Sequence, residues 1–422
     1  MSKKISVILL AGLLACAASV AENSSGFKGP HHNGIFPSQG LLKQWPDGGP
    51  KLLWEARAGK GWTSASVADG RVFFCGQDET NVSNGVMRAF DLQGKQLWRT
   101  AYGPDNGPRA TPAVADGRVF YESIGAVVYA LDAKTGHSLW SFALAKIGDS
   151  AAGSGGNSGS PLAVGDRVIV ATRSGGDEVP SFVAFDGATG KVSWQGNLAP
   201  TPEKGKGWSG FHGTPILTRV GNRDAVFCNF FRGAGAVWAD TGEKCWVDPT
   251  VKVKNRGQVQ IVANEGFLFL HGTVMARIAT DGKIATLWEG KVKIAEYDHS
   301  YSHTIIRDGK LFAFTPGMIL MLDAETGKER GSLACARRGA ILWADGLLYL
   351  MDEQPAMALI EATPEGLRKI SSFALPLPAN KSAMVRLFTP PVVAEGRLFV
   401  RDQSKVLVYD LRAQGGTANE RE

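Results

Sequence analysis

The nine residues 132–140, DAKTGHSLW, recur with wear along the 422-residue chain. The motif reads DGATGKVSW at 186–194, DLQGKQLW at 91–98, DTGEKCW at 240–246 and DGKIATLW at 281–288. At 323–330 it reads DAETGKER, with the Trp gone, and weaker copies start at Glu361 and Asp410. The steps between anchors are 41, 54, 54, 41, 42, 38 and 49 residues, averaging about 46, the period of a propeller blade rather than of a helical solenoid. Eight anchors imply eight similar units, each too small to bury both of its faces alone.

Each unit has the same grammar. An apolar strand follows a small or Pro-containing turn, as at residues 111–115, and a tight Asp116-Gly117 pair signals a hairpin. A second strand (118–122) is rich in β-branched and aromatic residues, and a third (126–131) ends at the anchor Asp132, placed to cap the turn through Gly136. The fourth ends in Trp140, expected to pack between blades with its N–H bonded. First strands are predicted at 65–68, 112–115, 161–164, 215–218, 260–263, 304–307, 340–344 and 391–394. After Leu411 no fourth strand with a Trp follows, but residues 51–55, containing Trp54, supply one. The predicted fold is therefore all-β: an eight-bladed β-propeller of four-stranded antiparallel blades, spanning 51–412, with the ring closed by the N-terminal strand. Residues 22–50 form an N-terminal extension and 413–422 a polar tail.

Lys3 and Lys4 precede an apolar run from Ile5 to Leu14, too short to span a bilayer and typical of a secretory leader over residues 1–21. Two processing routes are compatible with it. Ser19-Val20-Ala21 suits ordinary signal peptidase, and Leu13-Leu14-Ala15-Cys16 resembles a lipobox that would lipidate Cys16. Either route exports the protein, to the periplasm or the periplasmic face of the outer membrane, with lipidated Cys16 the sole membrane attachment. The formal charge is +6, and loss of Lys3 and Lys4 with the leader leaves +4 without a Lys/Arg block, which argues against a nucleic-acid partner. Cys75, Cys228, Cys245 and Cys335 form no CxxC, so zinc-ribbon and covalent haem motifs are absent. Cys228 and Cys245 fall on the second and fourth strands of one blade, roughly 9–10 Å apart and beyond disulfide reach. Free thiols are expected.

The D-A-x-T-G-K-x-x-W anchor is similar to the repeat of the PQQ-like β-propeller family. Residues 26–35, GFKGPHHNGI, resemble the W-x-G-P-x-x-x-G opening of a group of exported bacterial propellers. The resemblance implies two kinds of function. Quinoprotein alcohol dehydrogenases of this family hold pyrroloquinoline quinone (PQQ) with calcium in the central funnel, whereas the outer-membrane assembly lipoprotein is a scaffold without cofactor. This chain departs from the enzymes in lacking adjacent cysteines and large roofing insertions. For a calcium seat only Asn157, Asn229 and Asp298 come forward as candidates.

The residues just before each innermost strand ring one mouth of a propeller's channel. Here they are Trp62, Arg109, Asn157, His212, Arg256, His303, Arg338 and Arg386, with Trp208, Phe211 and Tyr301 close by. Converging guanidinium groups favour carboxylates or phosphates, and the aromatics can stack a planar ligand. Neither His31-His32 nor the His299/His303 pair has metal-site spacing, and no catalytic triad assembles. The expectation is an exported, monomeric, non-enzymatic scaffold that binds a cell-envelope protein or an anionic small ligand, with no catalytic residue and no cofactor or metal. The alternative is a PQQ-dependent dehydrogenase in which Arg109, Arg256 or Arg338 holds the quinone carboxylates and Trp208 stacks on the ring.

Overall fold

A computed structural model describes residues 23–148, 158–172, 179–198, 213–230, 233–248, 260–270, 272–292, 304–336, 339–377 and 389–413. Eight sheets make the blades; the first seven each take four consecutive strands in sequence order, and the eighth takes three consecutive strands and one from the N-terminus. The innermost strands are Ser66–Ala68, Ala113–Ala115, Leu162–Val164, Ile216–Val220, Val262–Asn264, Thr304–Arg307, Gly339–Ala344 and Val392–Ala394, at the eight predicted places with ends shifted by two residues or fewer. Leu52–Arg57 pairs antiparallel with Lys405–Asp410 and so supplies the fourth strand of blade 8. The ring is closed as the sequence implied. Leu144–Ile147 is the one short helix among the described residues. Cys228 lies on the second and Cys245 on the fourth strand of blade 4, and the thiols at 75, 228, 245 and 335 are free.

The repeat motif is a contact between neighbouring blades. Asp132 Oδ1 accepts the amide and the hydroxyl of Thr135, each at 2.7 Å, which fixes the turn. The chain then passes through Gly136 at φ +73°, where a Cβ would stand 2.6 Å from the ring of Trp98 on the blade before. Glycine is needed there for its backbone angle and for the space the indole takes. The same indole donates from Nε1 to the Ala133 carbonyl at 3.1 Å. Trp54, Trp140, Trp194 and Trp288 repeat the bond on the next blade's Leu92, Gly187, Ala239 and Ala324. A bulge just before the Trp turns it into the gap between blades, and leaves Leu97 and Leu139 exposed. Thus the Gly and the Trp of the motif serve different partners, one behind and one ahead.

Blades 4 to 7 depart from the motif; in blade 5 the Gly282 amide bonds to the Ala279 carbonyl, so Ala279 and not Asp281 holds the anchor place. In blade 4 the Gly242 amide bonds to the carbonyl of Trp238, so Trp238 and not Asp240 holds the place of Asp132; Asp240 instead pairs with Arg223 at 2.6 Å. In blade 6 the register puts Gly331 where the Trp would stand, and a Cβ there would lie 2.6 Å from Gly366 Cα of blade 7. Two backbones meet where an indole fits elsewhere. In blade 7 the place belongs to Ser371, whose hydroxyl accepts the Trp45 amide at 3.0 Å. Trp45, 3% exposed, packs on Tyr349 and Phe373 at 5.7 and 5.1 Å between centroids. The N-terminal extension thus returns the indole that blade 7 lacks.

The extension is a strap threaded through the channel. The Asp69 amide donates to Asn23 Oδ1, Ser24 pairs with Val67, and the Val114 amide bonds to the Ser25 carbonyl at 2.8 Å. These contacts run up the inner strands of blades 1 and 2 from the Asp-Gly turn end. His32 Nδ1 then donates to the Pro215 carbonyl at 3.1 Å, at the opposite end of the inner strand of blade 4. Ile35–Phe36 descends parallel to Trp343–Ala344 as a fifth strand of blade 7, inside the ring. The Leu41 amide reaches Asp345 Oδ2 at 2.8 Å, back at the turn end. The apex of this hairpin-shaped strap, from Gly26 to Gly34, crosses the channel. Leu41 and Trp45 join the largest hydrophobic cluster, which spans blades 7, 8 and 1.

Candidate functional site

A chain of hydroxyl contacts sets the mouth of the channel. The Ser64 amide donates to Thr111 Oγ1, the Thr111 amide to Ser160 Oγ and the Ser160 amide to Thr214 Oγ1, at 3.1, 2.9 and 3.1 Å. All four residues are buried, each just before its inner strand, and they lock blades 1 to 4 together. Ser64 Oγ also donates to the Pro390 carbonyl at 3.0 Å, carrying the stitch back to blade 8. Trp62 and Arg109 each lie two residues ahead of one of these positions. They therefore stand at equivalent points on adjacent blades.

The structure brings those two together. The Arg109 guanidinium lies 5.5 Å from the centroid of the Trp62 ring, in cation–π range, and the Trp62 amide bonds to the Pro108 carbonyl. Trp62 Nε1 is buried and has no acceptor among the described residues. Burial lowers the pKa of Arg109, and the charge of Asp105 opposes that shift.

Asp105 sits behind the pair, 1% exposed on the crossing from blade 1 to blade 2. Its Oδ2 accepts the hydroxyls of Tyr102 and Tyr121 at 2.9 and 2.7 Å. Burial raises the pKa of the carboxyl, and burial likewise pushes both phenols well above their ordinary range. Nearby, Arg401 of blade 8 is 2% exposed and donates to the carbonyls of Gly59, Thr63, Cys75 and Gln403 and to the Thr63 hydroxyl. The Cys75 thiol is pushed far up by burial and is no nucleophile at neutral pH.

The other predicted funnel residues, Trp208, His212, Arg256, Tyr301, His303, Arg338 and Arg386, lie outside the described residues, as do Asn157, Phe211, Asp298 and Cys16. Asn229, a candidate for a calcium seat, is buried on the second strand of blade 4. Among the described residues no three His, Cys, Asp or Glu side chains gather in a way that would hold a metal ion. Asp105, the buried carboxylate at the mouth, is already engaged by two tyrosines. Among the described residues, these groups do not make a calcium seat. Spacing in the sequence missed Asp105, Arg401 and the strap. It did carry a signal for the hydroxyl stitch, since Ser64, Thr111, Ser160 and Thr214 all precede a predicted first strand.

The family model described as outer membrane protein assembly factor BamB matches residues 82–332. No curated protein sequence matches the chain. Among solved structures, BamB from Moraxella catarrhalis superposes with a TM-score of 0.61 at 15% identity, covering 86% of this chain and 98% of that one. The quinohemoprotein alcohol dehydrogenase ADHIIG from Pseudomonas putida HK5 gives 0.65 at 14% identity, covering 95% and 81%. The computationally designed Ika8 protein gives 0.56 at 11%, covering 85% and 98%. At these identities the likeness is one of fold.

Proposed function

This chain belongs to the family described as outer membrane protein assembly factor BamB, and from that premise we propose that it is an exported, non-enzymatic propeller acting as a binding scaffold in the cell envelope. The family match supports this reading, and one structural observation carries it: the buried carboxylate, the buried arginine and the hydroxyls at the mouth are bound into the ring itself. Asp105 is held by two tyrosines, Arg401 by main-chain carbonyls, and Ser64, Thr111 and Ser160 by their neighbours. Such groups fix a shape and leave no poised acid, base or nucleophile among them. The surface presented is then for a protein of the envelope, reached through the leader and, if Cys16 is lipidated, held at the outer membrane.

The dehydrogenase reading keeps one point in its favour. A guanidinium beside an indole ring, as in Arg109 and Trp62, suits a planar polycarboxylate. One experiment decides between the two. PQQ and calcium are added to the purified protein while the absorbance spectrum and dye-linked alcohol oxidation are followed. The scaffold expects no bound quinone and no turnover; tight quinone binding with alcohol oxidation would overturn it. Lipidation is read separately, by whether Cys16→Ser moves the protein from the membrane to the soluble fraction.

A further inference from the structure

Outside the channel, blades 8 and 1 part to form a cleft. In blade 1, residues 78–83 join the strands Arg71–Gln77 and Asn84–Asp91; in blade 8, residues 403–404 join Arg397–Asp402 and Lys405–Asp410. Both connections stand at the mouth end, farther out than the inner strands. Between them lies a cavity of about 680 Å3, within the roughly 300–1,000 Å3 usual for ligand sites. Neither Trp62 nor Arg109 lines it.

Its base is held by main-chain bonds. The Ala58 amide donates to the Ser404 carbonyl at 2.8 Å, and the Gln77 amide to the Lys60 carbonyl at 2.7 Å. Gly59, at φ +75°, runs so close to Gln77 that a Cβ would lie 2.3 Å from that residue's carbonyl oxygen. The segment crossing from blade 8 to blade 1 is thereby fixed, while the side chains of Arg57 and Lys60 on it are exposed.

The charges in the cleft do not balance. Glu55, Asp78 and Glu79 line it, and each is already matched: Glu55 by Lys405 at 2.7 Å, Asp78 by Arg99 at 2.6 Å, and Glu79 by Arg88. Asp78 Oδ1 also accepts the hydroxyl and the amide of Thr80, at 2.7 and 2.9 Å. Arg57 and Lys60 line the same cavity, and their charged groups have no hydrogen bond or ion pair among the described residues. Two cations fixed on one cavity without counter-charge favour carboxylates. At its edge Val82 is 63% exposed and offers an apolar contact that a bare inorganic anion would not use.

We propose that this cleft is a docking site for an acidic, extended segment of a partner protein. Its carboxylates meet Arg57 and Lys60, and an apolar side chain beside them meets Val82. That the occupant is a protein rests on the scaffold reading; the cleft shares no lining residue with the Trp62–Arg109 pair, so this test and the quinone assay can fail separately.

A fluorescein-labelled hexapeptide of alternating glutamate and leucine, titrated with the full-length protein and followed by anisotropy, tests the site. It is expected to bind one-to-one, and its glutamine–leucine counterpart roughly tenfold more weakly or worse. Arg57→Gln and Lys60→Gln should each weaken binding several-fold and together roughly tenfold. Val82→Ser should weaken it several-fold as well. All three side chains are exposed, so the variants should keep the wild-type urea midpoint. Lys134→Gln, on an exposed turn of blade 2 at the opposite end of the ring, should leave binding unchanged. The proposal is overturned if the peptide does not bind the wild type, if the double variant binds as tightly, or if Lys134→Gln costs as much. Displacement by glutarate at concentrations no higher than the unlabelled peptide requires would make the occupant a free dicarboxylate, and would overturn it too.

Discussion

The Arg401 guanidinium, on the last blade, donates to the Cys75 carbonyl on the first at 2.7 Å. The same group reaches the carbonyls of Gly59 and Thr63 at 2.8 and 3.1 Å, so one side chain satisfies three main-chain acceptors of the blade next door. The ring is thus closed twice, once by the fourth strand from the N-terminus and once by this arginine near the mouth. Hydrogen bonds from a charged group contribute more than neutral ones, and buried acceptors stripped of donors are costly.

Arg401→Met should therefore cost about 3–5 kcal/mol of stability, measured as a drop in the urea midpoint. Arg330→Met, at an exposed ion pair with Asp323, should change it by about 0.5 kcal/mol or less. Equal effects from the two would mean that Arg401 does not seal the ring.

Trp45 tests the strap's contribution to the blades. Trp45→Ala is expected to cost about 3–5 kcal/mol, the loss usual for a buried aromatic. Because Trp45 Nε1 is buried without an acceptor among the described residues, Trp45→Phe should cost less than about 1.5 kcal/mol. Trp140→Phe removes the bond to Gly187 and should cost about 1 kcal/mol beyond its packing loss. Thermal or urea unfolding of the three variants checks the order; a Trp45→Phe as damaging as Trp45→Ala would show that packing alone is not what holds the strap.

The blades were legible because their signal is local and repeated. Asp132, Thr135, Gly136 and Trp140 lie within nine residues, and the intact copies restate the same turn, bulge and indole contact. The closing strand was legible because Trp54 stands where blade 8 is one strand short. Where the pattern erodes, sequence spacing misleads: Asp240 looks like an anchor, yet the backbone gives that place to Trp238. The strap was not legible at all as a channel filler. Its contacts join Ser25 to Val114, His32 to Pro215 and Trp45 to Ser371, separations no periodicity reports. Trp62 and Arg109 come within cation–π range of each other, while the buried supports behind them, Asp105 and Arg401, sit at positions the repeat does not mark.

His32 gives the fold an acid sensitivity with a defined sign. Its Nδ1–H is bonded to the Pro215 carbonyl, and burial lowers its pKa to about 4 against 6.5 for the free side chain. Between pH 6.5 and 4 the unfolded chain takes up a proton that the folded chain refuses. Stability is therefore lost as pH falls through that window, by up to about 3 kcal/mol, and the loss levels off below pH 4. Asparagine keeps a donor near Nδ1 and tolerates the left-handed backbone. The His32→Asn protein should lose this part of the slope in urea midpoints compared between pH 7.5 and pH 4.5; an unchanged slope would assign the acid sensitivity to other groups.

Asp105 separates hydrogen bonding from charge at the mouth. Both tyrosine hydroxyls converge on one of its oxygens, so the amide oxygen of Asp105→Asn can accept both while the negative charge facing Arg109 is gone. That variant should lie within about 1 kcal/mol of the wild type, whereas Asp105→Leu strands two buried hydroxyls and should cost about 2–5 kcal/mol. The pH dependence has its own sign. Burial raises the carboxyl above its ordinary 3.8, so just above that value the folded chain holds a proton the unfolded chain has released. This contribution to stability falls as pH rises through the window between the unfolded and the raised pKa. Asp105→Asn, which cannot titrate, should show no such fall. Urea titrations of both variants from pH 4 to pH 8 read out the two effects together, and an Asn variant as unstable as the Leu variant would make charge, not hydrogen bonding, the role of Asp105.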